Sequence, residues 1–240
     1  MAKAIITHIQ LERSTSHRNV IVCGSPQRAE WFSKMLEDAK PLARNREYHS
    51  YLGKSAGQEI LVVSHGVGAA GAAICFQELI DAGAEKIIRL GTAGALAGDI
   101  RIGNIILATS AVRMDGVSRL MIPVEFPAVP DLALSQKLAT GLQSAEPKVR
   151  SGMVLTSDLF YPGKLNTDYA FYRDAGVLAV EMECSALFII AALRNVKAAS
   201  LLVIDGDAIN HTADTYDPRP ATLADSLEVC FHAAIKTLLS

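Results

Sequence analysis

The sequence predicts an α/β layered fold in which helices flank a mixed, largely parallel central sheet. The strand-like segments are continuous apolar runs rather than alternating ones, as in strands buried on both faces. They alternate along the chain with helix-like stretches, the order that builds βα units. No linker, repeat or low-complexity segment divides the 240 residues, which suffice for one domain, 1–240, with a sizeable core.

Asn19–Cys23 (NVIVC) reads as a first strand ending at Gly24, followed by a helix from about Pro26 to Asp38. Glu59–Ser64 (EILVVS) is a second buried strand, and the glycine-rich Gly66–Gly71 leads into a helix through Asp81. Lys86–Leu90 (KIIRL) is a third, closed by a small-residue turn over Gly91–Gly94. Asn104–Val112, Val177–Val180 and Ala199–Ile204 complete the strands; helices are expected over Asp131–Gln143, Cys184–Arg194 and Ala221–Leu239. Ligands gather in such sheets where strands end and helices begin. That directs attention to Gly24, Gly66, Gly91, Glu183 and Asp205.

Composition narrows the class of partner. The net charge of −2 comes from nearly balanced acids and bases, so no basic face for nucleic acid stands out. Cys23, Cys75, Cys184 and Cys230 are far apart, without a CxxC pair or a histidine at ligand spacing, which reads as buried free thiols in a reducing compartment and no metal. The opening MAKAIITHIQLERS lacks a long apolar core and a small-residue cleavage site. Apolar stretches break at Gly, Ser or charge before reaching a membrane span. The expectation is a cytoplasmic protein with no membrane partner.

Gly66-Val67-Gly68-Ala69-Ala70-Gly71 fits GxGxxG between a strand and a helix, the form of a dinucleotide-binding loop. The acid required at the end of the next strand is missing, since that strand ends in Arg89-Leu90-Gly91. Two readings remain for the loop: a tight turn for helix packing, or backbone N–H groups approaching a smaller anion.

Three arginines sit beside glycine or at strand ends. Arg28 lies one turn into the first helix, Arg46 lies in Asn45-Arg46-Glu47-Tyr48, and Arg89 ends an apolar strand. A charge at Arg89's position is costly to bury alone, and guanidinium forks match phosphate geometry. An oxyanion site is therefore expected. Glu181 and Glu183 alternate on an extended stretch and share a face, where they could receive vicinal hydroxyls or serve as acids before a helix N-terminus. Asp205 follows the apolar run Leu201–Ile204, where burial would raise its pKa toward the range of a general acid; Asp207 is a backup acid. As a plain structural residue, Asp205 would cap a turn.

At this level of detail the chain resembles the nucleoside phosphorylase family that includes hexameric bacterial purine nucleoside phosphorylases and uridine phosphorylases. Gly24–Arg28 is similar to the family's GDPxR block. The likeness runs in order through Asn45–Tyr48, Ser64–Gly71 (SHGVGAAG), Ile88–Gly94 (IRLGTAG), Phe126–Val129 (FPAV), Thr156–Pro162 (TSDLFYP) and Val180–Glu183 (VEME). NREY and SHGVG, with Ile204-Asp205-Gly206, also resemble blocks of the apicomplexan purine nucleoside phosphorylases.

The resemblance implies a single-domain, three-layer phosphorylase/hydrolase-like fold. It also implies cofactor-free phosphorolysis of a purine nucleoside, with inorganic phosphate as co-substrate. Gly24, Arg28, Arg89 and Thr92 would hold phosphate, with Arg46 reaching in from a neighbouring subunit. His8, also from the neighbour, would meet the ribose 5′-hydroxyl. Ala93, Gly94, Phe160, Val180, Glu181, Met182 and Glu183 would bind the nucleoside: Phe160 stacking on the base, Met182 against the sugar, Glu183 on its hydroxyls. Asp205 would be the acid, with Arg219 approaching it. Shared sites imply a homo-oligomer, a hexamer built as a trimer of dimers.

Two departures matter. Ser25 replaces the aspartate of GDPxR, which leaves the anion site's backbone contacts possible. Lys164–Asn166 replaces the Gln-x-Arg with which uridine phosphorylases read uracil, and this favours a purine over uridine.

Overall fold

The computed structural model describes residues 5–13, 17–143, 145–146, 148–161, 163–165, 167–209 and 221–240. In chain order its elements are β1 (Asn19–Cys23), α1 (Pro26–Ser33), β2 (Glu37–Asn45), β3 (Tyr48–Ser55), β4 (Gln58–Ser64), α2 (Ala69–Asp81), β5 (Lys86–Ala95), β6 (Ile105–Arg113), α3 (Gly116–Met121), α4 (Leu132–Gly141), β7 (Val149–Thr156), α5 (Tyr169–Asp174), β8 (Ala179–Glu181), α6 (Cys184–Arg194), β9 (Lys197–Asp207) and α7 (Ala221–Leu238).

The strands form one mixed sheet in the order β2-β3-β4-β1-β5-β8-β7-β6-β9, with β9 pairing back to β5. Half of the sheet therefore closes on itself. Alternation along the strands explains the unbroken apolar runs. Val20 and Val22 of β1 enter one cluster with α2 and α6, whereas Ile21 and Cys23 enter another with α1, α4 and α7. Both faces are covered by helices, as expected from the sequence. Among the described residues no helix is long and apolar enough to cross a membrane.

Four differences from the sequence reading have physical causes. The first helix ends at Ser33 rather than near Asp38, and β2 begins at Glu37. β2 is almost wholly exposed, carries Glu37, Asp38, Lys40 and Pro41, and so lacks any apolar periodicity to announce it. Proline is tolerated there because β2 is an edge strand. The Gly91–Gly94 segment is not a turn; β5 continues through it to Ala95. β7, α3 and α5 went unread because they are short or carry mixed polarity.

β5 changes partner along one edge. It pairs with β1 as far as Arg89 and with β8 only from Gly94. Between these positions that edge is open, and a cavity forms there, as expected where strand order switches.

Candidate active site

The cavity measures about 1200 Å³. It gathers Gly24 and Arg28 from the β1–α1 junction, Arg89, Thr92, Ala93 and Gly94 from β5, Phe160 from the segment after β7, Val180–Glu183 from the β8–α6 junction, and Asp205 from β9. These are most of the residues singled out in the sequence. Arg219 lies outside the described residues. His8 and Arg46 are not in the wall. The His8 ring nitrogen Nδ1 lies 2.6 Å from Glu78 Oε1, and its amide also donates to Glu78. Arg46 is exposed at the β2–β3 hairpin tip with φ 53°, while its neighbour Glu47 lines the cavity instead. Any role for His8 or Arg46 at such a site requires a second copy of the chain.

Ser25 has a local function. Its hydroxyl accepts from the Arg28 amide at 3.3 Å and caps α1, with Pro26 in the first turn. The helix thus begins beneath Gly24, and the substitution for aspartate preserves the cap.

Arg89 is buried and ion-paired. Its Nη2 bonds Glu183 Oε2 and lies 3.3 Å from Glu181 Oε2. Its guanidinium occupies the space a side chain at position 91 would need, so a larger residue there would have to displace the ion-paired arginine. Burial works against its charge, but Glu183 and Glu181 outweigh that and push its pKa up.

The two glutamates differ in role. Glu181 is saturated by the protein: it accepts from the Glu183 and Cys184 amides at 2.8 and 2.9 Å and from the Thr156 hydroxyl at 2.5 Å. Its side chain has 0% exposure. It anchors the start of α6, the structural alternative raised by its position before a helix. Burial pushes its pKa up. Glu183 instead bridges Arg89 and the Gly68 amide, 2.6 Å from its Oε1. Burial opposes its charge, yet Arg89 and that amide hold the carboxyl below the usual range.

The glycine loop has a partner within the protein. Gly66 and Gly68 take φ of 77° and 90°, turning the chain into α2. The Gly68 amide at the helix start meets the protein's own Glu183 carboxylate.

Asp205 sits at an irregularity. β9 and β5 pair in register to Ala93–Ile204, after which Gly94 pairs with Gly206 and Asp205 is the extra residue. Such a bulge re-aims a side chain, here into the cavity. Burial raises the Asp205 pKa, partly opposed by the polar Thr92 side chain and the charge of Arg28.

Among the residues lining the cavity, Glu47, Asp168 (the cap of α5) and Tyr169 escaped the sequence reading, as did His65, buried next to Gly66. Glu47 and His65 stand inside the NREY and SHGVG blocks, which was the available signal. His65 is fully buried, its Nδ1 lies 2.8 Å from the Gly66 carbonyl, and burial lowers its pKa to about 4.

Residues 18–238 match the family model described as "Phosphorylase superfamily". A purine nucleoside phosphorylase of Plasmodium vivax is 38% identical over 237 residues, covering 95% of this chain and 97% of the relative. A uridine phosphorylase of Haemophilus influenzae is 34% identical over 238 residues, covering 93% and 91%. The crystal structure of the Toxoplasma gondii purine nucleoside phosphorylase in complex with immucillin-H superposes with a TM-score of 0.93 at 28% identity, over 99% of this chain and 96% of that one.

Proposed function

Since the chain belongs to the phosphorylase superfamily, we propose that it is a nucleoside phosphorylase that splits the N-glycosidic bond of purine nucleosides, inosine and guanosine foremost. The products are free base and ribose 1-phosphate or its deoxy form. The observation that carries the purine reading is Asp205: a buried carboxyl with a raised pKa, aimed by a strand bulge into the same cavity as Arg28 and Arg89.

Phosphate is already a nucleophile, so the protein's task is to position it under the sugar and exclude water. Gly24, Arg28, Arg89 and Thr92 hold it there, and its charge stabilises the oxocarbenium-like sugar. Glu183 receives the ribose hydroxyls, Met182 packs against the ring, and Phe160, Val180, Ala93 and Gly94 border the base. Glu181 positions Arg89 and Glu183 from behind. A purine leaves readily once N7 is protonated, and Asp205, with Arg219 as its partner, supplies that proton. No cofactor enters this scheme. Arg46 and His8 complete the site of an adjacent copy, in a hexamer arranged as a trimer of dimers.

Uridine is the second reading, favoured by the 34% identity to a uridine phosphorylase. One panel separates the two: inosine, guanosine, adenosine and uridine, each with and without phosphate. Purine turnover that requires phosphate and yields ribose 1-phosphate is expected. Equal base release without phosphate would mean hydrolysis, and preference for uridine would remove Asp205 from its role.

A further inference from the structure

Behind the cavity wall, buried hydrogen bonds connect the surface segment 114–128 to the Arg89 ion pair. Their centre is Asp115, a carboxylate with 0% exposure. It accepts from the Ser118 amide and hydroxyl, both at 2.6 Å, and from the Ser185 hydroxyl. Ser185 lies in the first turn of α6. Its amide donates to Thr156 Oγ1 at 3.0 Å, and that hydroxyl donates to Glu181 Oε1 at 2.5 Å. Glu181 in turn faces Arg89 and accepts the Glu183 amide.

On the opposite side, Arg113 Nε donates to the Ser118 hydroxyl at 3.2 Å, and its Nη1 donates to the Pro123 and Phe126 carbonyls. The same segment holds the loop bearing Phe160, because the Gly116 amide donates to Asp158 Oδ2 at 2.8 Å. A buried carboxylate is expensive unless every lone pair is used. Here its bonds go to the two elements that set Glu183 and Phe160.

We infer that Asp115 is a positioning residue for the nucleoside half of the site, acting through Ser185 and Thr156 on Glu181 and so on Glu183. The inference rests on the phosphorolytic reading of the cavity. Phosphate is less dependent on this chain, because Gly24, Arg28 and Thr92 belong to other elements and Arg89 alone of the proposed phosphate residues faces Glu181 and Glu183. The nucleoside and phosphate constants should therefore respond differently.

The test compares Asp115→Asn and Ser185→Ala with the unaltered protein, by steady-state kinetics and by hydrogen exchange. Asparagine turns an N–H₂ toward groups that are themselves donors; alanine removes only the linking hydroxyl. Asp115→Asn should raise the nucleoside KM roughly tenfold while phosphate KM moves less than about twofold, the loss expected from one unmade buried hydrogen bond. Ser185→Ala should shift the same constant in the same direction, and it carries the kinetic test if Asp115→Asn does not fold. In both variants the Glu183 and Cys184 amides should exchange faster, while those of β1 and β4 keep their protection. Unchanged nucleoside KM with retained protection at Glu183 and Cys184 would overturn the inference. If the unaltered protein shows no phosphate-dependent turnover, the functional reading falls by itself, and the exchange measurement still decides whether Asp115 orders the start of α6.

Discussion

Thr92 and Asp205 line the cavity from the adjacent strands β5 and β9, Asp205 at the bulge that turns it inward. Burial favours the neutral acid, the polar Thr92 side chain favours the charged carboxylate, and burial prevails. Thr92 thus limits how far the acid's pKa rises.

A group that must donate a proton loses activity as pH rises through its pKa. Thr92→Val removes the polar group that restrains the rise, so the alkaline fall of kcat for inosine should move to higher pH when measured at saturating phosphate. Asp205→Asn should lower purine turnover by roughly 10²–10⁴-fold, the range for a positioned general acid. An unaltered rate would pass the role to Asp207 or to water.

Arg89→Ala should raise the phosphate KM at least tenfold, since a charge-assisted contact is worth about 1.5–3 kcal/mol. It also leaves Glu181 and Glu183 buried without their cation, which destabilises by about 3–5 kcal/mol. Phosphate titration and thermal melting read the two effects separately. An effect confined to nucleoside affinity would discredit Arg89 as a phosphate ligand.

His65 links pH to stability. Its pKa falls from an ordinary 6.5 to about 4 in the folded protein, chiefly through burial. The unfolded chain therefore binds the extra proton first. The contribution to stability is complete above pH 6.5 and is lost as pH falls toward 4, at no more than about 1.4 kcal/mol per pH unit. His65→Gln should flatten this part of the profile in urea denaturation across pH 4–7; an identical slope would show that other groups carry it.

Gly68→Ala isolates the backbone. A Cβ at position 68 would meet no atom within 4 Å, so only the φ of 90° resists the change. A loss of about 1–3 kcal/mol is expected from such strain, together with weaker nucleoside binding as the amide leaves Glu183. Equal effects on phosphate would argue against the separation of the two subsites.

Arg46 can be tested by mixing subunits. Arg46→Ala and Asp205→Asn should each be defective, yet refolding them together should restore activity in hybrid pairs. Random pairing gives roughly a quarter of the native sites. No recovery, or a fully active monomer by light scattering, would remove Arg46 and His8 from the site.

Much of this architecture was legible because strands buried on both faces leave continuous apolar runs, as in Asn19–Cys23 and Ala199–Ile204. The β2–β3 hairpin was not, since an exposed edge strand bearing Lys40 and Pro41 has no hydrophobic period. Arg28, Arg89, Glu183 and Asp205 were readable as charges at strand or helix ends. Their pairing was not: that Arg89 lies against Glu183, and that the glycine loop serves Glu183, depends on a parallel crossover bringing β5, α2 and α6 together across about a hundred residues. Glu181 and Glu183 look equivalent in VEME and both are buried; their partners separate them, Thr156 and the α6 amides for one, Arg89 and the Gly68 amide for the other.

Because five strands meet end to start, the sheet has one free lip, on β2, among the described residues. Pro41 interrupts its amide row and Lys40 sets a charge beside it, so that lip is a poor template for another chain's backbone. Copies of this protein are therefore not expected to join by extending this sheet.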